Sequence, residues 1–153
     1  MRLDLELLRK LNACSGAVNV YTTRQESDPV VAVGLLIDGC EELGGVPEKE
    51  RLQWGNWLIT RLLSPDNRIR YAVFAAEQVL EIFEKEYPDD KRPREAIEAA
   101  KKCLNGGIIA AAHAAAAAHA ADAAADAAHA AANSHPIMLA AILRHGLELL
   151  SDE

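Results

Sequence analysis

Apolar residues recur at helical spacing along most of the chain, and this pattern predicts an all-α fold. The pattern is clearest over residues 65–87, where apolar positions form one stripe and charged residues lie off it. The stripe consists of Ile69, Ala72, Val73, Ala76, Val79, Leu80 and Phe83. It predicts a long amphipathic helix with its apolar side chains buried in the core.

Capping residues, prolines and glycine pairs divide the rest of the chain into further helices. Asp28-Pro29 and Ser64-Pro65 each place a capping side chain before a proline, whereas Gly44-Gly45 is a stop signal. The predicted helices cover residues 3–12, 30–43, 47–63, 65–87, 94–104, 108–132 and 137–150. Because the connections are short, we expect a single domain over residues 1–153, an antiparallel bundle of about seven helices.

Two stretches in the N-terminal third are harder to assign. Residues 12–27 hold Gly16 and a β-prone run from Val18 to Thr23, which predicts a loop or a short extended piece. Residues 30–37 are almost continuously apolar, a pattern that also fits a buried strand. The apolar pattern extends to Leu43, and this length favours a helix.

An alanine-rich segment gives the chain its most unusual composition. Alanine occupies 18 of the 23 positions from 110 to 132, which secures a helical prediction because alanine has the highest helix propensity. Methyl side chains also let neighbouring helices approach closely. We therefore expect this helix to lie at the centre of the bundle.

Four polar residues of this segment share one face of the predicted helix. They fall within an arc of about 80° at 100° per residue, and they are His119, Asp122, Asp126 and His129. Imidazole and carboxylate side chains bind divalent metal ions, so a metal-binding bundle or a metal-dependent hydrolase is one hypothesis. The alternative is a solvent-facing edge. It is favoured because one helix supplies too few ligands, and we expect no cofactor.

Composition narrows the classes of function. A net charge of −7 argues against nucleic-acid binding, which needs clustered lysine and arginine, and it favours a partner with a basic surface. No segment has the roughly 18 strongly apolar residues of a membrane helix. The N-terminus does not resemble a signal peptide, so we expect a cytoplasmic protein. Three cysteines without a CxxC motif predict free, buried thiols: Cys14, Cys40 and Cys103.

The chain lacks the residue patterns of a catalytic site. Its serines have no nucleophile-elbow context, and its glycine pairs look like helix stops rather than phosphate loops. Trp54 and Trp57, three positions apart, are typical of core or interface anchors rather than of a base-stacking platform. A binding protein is therefore favoured over an enzyme. A structural protein that forms homo-oligomers through the alanine-rich or last helix is a further alternative.

Several segments resemble small helical proteins of bacteria and phages that are described as immunity proteins of polymorphic toxin systems. The most specific is Arg92-Pro93-Arg94-x-Ala96-Ile97-Glu98, within residues 89–100 and ahead of the alanine-rich tail. Leu11-Asn12-Ala13-Cys14, and Trp54 and Trp57 before Leu62-Leu63, are also similar to that group. The resemblance implies an all-α fold and a non-enzymatic role in binding a protein partner such as a toxin.

Arg92 and Arg94 have two interpretations. Both lie at the start of a predicted helix, where a cation opposes the helix dipole. We expect neighbouring carboxylates to hold them, with Asp89, Asp90 and Glu86 as candidates. The alternative is that Arg92 and Arg94, together with Trp54 and Trp57, bind the partner.

Overall fold

A computed structural model describes residues 2–105 and 136–153. In these ranges the chain forms seven α-helices and one short 3-10 helix, and no strand. The α-helices are α1 (Leu5–Lys10), α2 (Ser15–Arg24), α3 (Pro29–Asp38), α4 (Glu48–Leu62), α5 (Pro65–Glu86), α6 (Arg92–Asn105) and α7 (Pro136–Ser151). The 3-10 helix, Glu41–Leu43, lies between α3 and α4. The all-α prediction is confirmed, and the predicted alanine-rich helix lies outside the described residues.

The start signals in the sequence act as predicted. The Asp28 carboxylate accepts a hydrogen bond from the Val30 amide at 2.8 Å, and Pro29 occupies the first turn of α3. The Ser64 hydroxyl likewise accepts from the Asn67 amide at the start of α5. Each cap satisfies a backbone donor that the helix leaves unpaired.

The stretch 12–27 was predicted as a loop or extended piece, and this is wrong: most of it forms α2. Its threonines, Thr22 and Thr23, donate their hydroxyls to carbonyls one turn earlier, which suits β-branched side chains to a helix. The helix ends at Gln25, whose φ of 56° is left-handed. No residue of α2 is buried, so the amphipathic signal that marks other helices is missing here.

The apolar stretch after Asp28 is helical, as its length predicts, but the helix is shorter than expected. It ends at Asp38 rather than at Leu43, because Gly39 follows with a φ of 85°. The Arg51 guanidinium stabilises this end by donating to the carbonyls of Leu36 and Ile37 at 2.6 and 2.5 Å. These carbonyls belong to the last turn, where a helix lacks backbone donors.

The main core forms where α7 packs against α3, α4 and α5. Its fully buried side chains include Val33, Ile59, Leu63, Tyr71, Leu139, Ile142 and Leu143. A second, smaller core joins α5 to α6 through Ile69, Val73, Leu80 and Ile97. Helix α5 therefore contributes to both cores. Of the predicted stripe, Ala76, Val79 and Phe83 are only half-buried, while the other four residues are buried.

One hydrogen bond lies inside the main core. The Tyr71 hydroxyl donates to Asn56 Oδ1 at 2.7 Å, and both side chains are buried. Burial raises the pKa of Tyr71 well above its usual range, so the phenol stays protonated and keeps donating. The bond satisfies two polar groups that would otherwise destabilise the core.

Polar contacts tie the C-terminus of α7 to the N-terminus of α5. Glu153 accepts hydrogen bonds from the Ser64 amide at 2.7 Å and from the Asn67 side chain at 3.0 Å. Its carboxylate therefore lies at the N-terminus of α5, where the helix dipole favours a negative charge. Desolvation raises the pKa of Glu153, but these bonds together outweigh it and hold the pKa below its usual range.

Candidate functional site

The four predicted partner-binding residues that the structure describes lie in two separate places. Trp54 and Trp57 lie on α4, in the wall of an apolar cleft that α2, α3 and α4 form. Arg92 and Arg94 lie at the start of α6, beside the end of α5. The predicted stripe of His119, Asp122, Asp126 and His129 lies outside the described residues.

The cleft between α2, α3 and α4, called the tryptophan cleft below, has a volume of about 80 Å³. Its wall is almost entirely apolar, although the charged residues Arg24 and Glu26 also contribute to it. The wall residues are Leu3, Leu8, Ala17, Val20, Tyr21, Ala32, Leu35, Leu36, Cys40, Leu43, Trp54, Trp57 and Leu58. Several of them come from helix faces that the main core leaves half-buried.

Trp54 depends on a glycine of α2 for its position. A Cβ atom built on Gly16 would lie 2.9 Å from Trp54 Cζ2, closer than such atoms approach in proteins. The missing side chain therefore lets α2 lie directly against the indole ring. Both tryptophan side chains are half-buried, and their role as core or interface anchors stays a prediction.

Charges near the tryptophan cleft are unevenly compensated. The Arg51 guanidinium donates hydrogen bonds to the carbonyls at the end of α3. Glu41 lies between the wall residues Cys40 and Leu43, and Glu50 lies one helical turn before Trp54 on the same face of α4. Neither Glu41 nor Glu50 forms an ion pair within residues 2–105 and 136–153, and both are exposed.

Arg92 is held in place by the loop that precedes α6. Its guanidinium donates to both oxygens of Asp90, at 2.9 Å from Nε to Oδ1 and 2.6 Å from Nη2 to Oδ2. Hydrogen bonding to this guanidinium lowers the pKa of Asp90 to about 2. The Arg92 side chain nevertheless remains 87% exposed, so its outer face is free to contact another molecule.

Arg94 makes the same kind of contact with a carboxylate of α5. Its Nε and Nη2 atoms donate to the two oxygens of Glu84 at 2.7 and 2.6 Å. The expectation that carboxylates hold both arginines is confirmed. The partner of Arg92 was among the candidates, but the partner of Arg94 is Glu84 rather than Asp89 or Glu86. The packing of α6 against α5 brings Glu84 close to Arg94. Because Glu84 lies ten residues before Arg94, the local sequence did not indicate this pair.

Aromatic and aliphatic side chains are exposed near the end of α5, the helix that precedes these arginines. Tyr87 is 51% exposed at the end of α5, and its ring lies 5.0 Å from that of Phe83. Ile82, which lies in α5 five residues before Tyr87, is 44% exposed. We call Ile82, Tyr87, Arg92 and Arg94 the α5–α6 corner. The sequence analysis missed Ile82 and Tyr87, although Tyr87 stands directly before the helix-breaking Pro88.

The cysteine predictions are confirmed in part. All three thiols are free, as expected. However, Cys14 is exposed at the start of α2, and Cys40 and Cys103 are half-buried, so the expectation that all three are buried is wrong. Over residues 2–105 and 136–153, no three histidine, cysteine or acidic side chains come close enough to hold a metal ion.

Comparison with known proteins gives one match. A family described as "Imm-5 like putative immunity protein" matches residues 63–145, slightly more than half of the chain. The chain belongs to this family. No curated protein and no solved structure matches the chain.

The immunity-protein match covers α5, α6 and the α5–α6 corner, whereas Trp54 and Trp57 precede it. It confirms the family that the sequence resembles. Across the described part of this immunity-family chain, no helix combines the length and apolar character required to span a membrane.

Proposed function

We propose that the chain binds a protein toxin and neutralises it, and that it does so without catalysing a reaction. Membership of an immunity-protein family supports this function. The toxin is a protein with a basic surface, because a chain with a net charge of −7 attracts such a partner over long range. An acidic binding protein accelerates its association with such a partner and suppresses binding to acidic surfaces.

The observation that carries this proposal is the α5–α6 corner, which lies within the family match. Tyrosine and arginine are the side chains that most often dominate the free energy of protein–protein binding. Here Tyr87 is half exposed, and Arg92 is exposed while Asp90 fixes its guanidinium. A fixed side chain loses little conformational entropy on binding, so this surface is organised before the partner arrives.

The proposal is tested by co-expressing the chain with the protein encoded by the neighbouring gene. We expect the chain to restore growth in cells that this protein inhibits, and the two purified proteins to form a complex. Tyr87→Ala and Arg92→Ala should each weaken the complex by about 2 kcal/mol, roughly 30-fold in Kd. Titration calorimetry measures the change.

Lys102→Ala provides the matched control, because Lys102 is an exposed cation on the same helix as Arg92. It should leave Kd within a factor of about two, as expected for an exposed charge outside the contact. The proposal fails if the chain neither binds this protein nor restores growth. If Tyr87→Ala, Arg92→Ala and Lys102→Ala all bind the toxin equally well, the α5–α6 corner is not the contact surface.

A further inference from the structure

The tryptophan cleft lies outside the family match, and neither core uses its full apolar surface. We infer that this cleft takes one apolar side chain of the protein partner, and that basic residues flank this side chain. The inference rests on the proposed function, because it describes how the partner of an immunity protein docks. It adds a second contact region, on the N-terminal half of the chain.

The composition of the wall determines the chemical class of the occupant. Ordered water and polar ligands need two to four hydrogen-bonding partners, which an apolar wall does not offer. The Tyr21 hydroxyl is already occupied, since it donates to the Leu3 carbonyl at 3.1 Å. An aliphatic or aromatic group gains from leaving water and loses no hydrogen bond in this cleft.

The charges beside the cleft determine what flanks that apolar group. The two charged residues of the wall, Arg24 and Glu26, have opposite charges. Elsewhere the exposed carboxylates of Glu41 and Glu50 have no ion pair with a described residue. Arg51, which follows Glu50 in α4, donates to the carbonyls at the end of α3 and pairs with Glu48 rather than with Glu50. Lysine or arginine residues on the partner complement this arrangement.

Helix α2 provides a way for the side chain to enter. None of its ten residues is buried, and it packs mainly against α1 and the 3-10 helix. Helix α2 is therefore held less firmly than α3 and α4, whose side chains form part of the main core. Ala17 and Val20 line the cleft from this helix, so its displacement widens the cleft directly.

Intrinsic fluorescence of the two tryptophans makes the cleft accessible to a direct test. The probe is N-phenyl-1-naphthylamine, a neutral apolar fluorophore that accepts excitation energy from tryptophan. We expect saturable binding to one site. We also expect competition by a short peptide with a phenylalanine between lysines. Replacing its phenylalanine by alanine should weaken competition roughly tenfold to a hundredfold, and replacing its lysines by glutamates should weaken it further.

Two matched pairs of variants locate the binding. Ala17→Phe fills the cleft and should abolish probe binding, whereas Asn19→Phe adds the same ring to an exposed position of α2 and should not. Glu50→Lys should weaken the lysine-flanked peptide roughly two- to fivefold, the range of one exposed charge pair. Glu81→Lys makes the same charge change at an exposed position of α5 and should have no effect. Circular dichroism confirms that each variant folds.

The inference is overturned if the probe does not bind, if Ala17→Phe binds it normally, or if the glutamate-flanked peptide competes equally well. Loss of probe binding as the protein concentration rises would assign the cleft to a second copy of the chain and would also overturn it. These results are independent of the toxin assay. If the peptide binds but the toxin does not, the cleft binds apolar side chains and the proposed function is wrong. If the toxin binds but the peptide does not, the proposed function stands and the inference about the cleft is wrong.

Discussion

Gly34 and Gly146 both lie inside α-helices, but their surroundings differ. A Cβ atom on Gly34 would meet no other atom within 4 Å. On Gly146 it would lie 2.6 Å from Tyr71 Cε2 and 2.8 Å from Ile59 Cγ2. Gly146 thus allows α7 to lie against the buried Tyr71 ring, while Gly34 has no such role.

The same substitution should therefore change stability in opposite directions at these two sites. Gly34→Ala should raise the free energy of unfolding by roughly 0.5–1 kcal/mol, because alanine restricts the unfolded chain and favours the helix. Gly146→Ala should lower it by roughly 1–3 kcal/mol through overpacking. Urea unfolding followed by circular dichroism measures both. Equal changes at the two positions would contradict the packing of α7 against Tyr71.

At the residue scale, the sequence predicted the kind of role a residue has better than it predicted which residues contact each other. Trp54 and Trp57 were expected as anchors and lie half-buried in the cleft wall. Their contact with Gly16 could not be predicted, because it depends on where α2 lies. Cys14 was expected in the core but is exposed, since the helix it precedes buries no residue. A pattern along the chain identifies apolar side chains, but the packing of helices determines which are covered.

At the scale of elements, capping chemistry predicted helix starts well, and the absence of amphipathicity hid one helix. Asp28 and Ser64 lie at the observed starts because their side chains bond to the first free backbone amides. Helix α2 was missed because no apolar stripe marks it. The α5–α6 corner was predicted only in part: local sequence indicated carboxylates near Arg92 and Arg94, but Glu84 lies on the preceding helix.

The ion pair between Asp90 and Arg92 gives the α5–α6 corner a measurable pH dependence. The pKa of Asp90 is about 2 in the folded chain, compared with an ordinary value of 3.8. Because the folded value is the lower one, the pair contributes its full stabilisation above about pH 4. This contribution is lost as the pH falls through about 2. The pair is exposed, so a direct titration is more informative than a stability measurement.

We expect Arg92→Ala to return the pKa of Asp90 towards 3.8, since the guanidinium is the main cause of the low value. Titration of the side-chain carboxyl signal by nuclear magnetic resonance measures this shift. Arg94→Ala is the matched control: it should leave Asp90 unchanged and instead raise the pKa of Glu84. An Asp90 midpoint that stays near 2 in the Arg92 variant would show that another group stabilises the carboxylate.

At the scale of the whole molecule, α5 connects two cores that could unfold together or separately. Its Tyr71 and Ala75 side chains belong to the main core, while its Val73 and Leu80 side chains belong to the smaller core with α6. The sequence predicted a single domain, and we propose that the described helices form one cooperative unit. The shared helix is the physical reason, because α5 cannot unfold without disrupting both cores.

Ile97→Ala tests this cooperation, since Ile97 is buried in the smaller core and both tryptophans are near the main one. The substitution should lower the free energy of unfolding by roughly 2–5 kcal/mol. In one cooperative unit, the urea midpoint of tryptophan fluorescence should fall together with that of circular dichroism. Glu95→Ala, at an exposed position of the same helix, should leave both midpoints nearly unchanged.

If Ile97→Ala shifted only part of the circular dichroism transition and left the fluorescence midpoint unchanged, α6 would unfold independently. The chain would then consist of two units, because the contact between α5 and α6 would be too weak to transmit the loss.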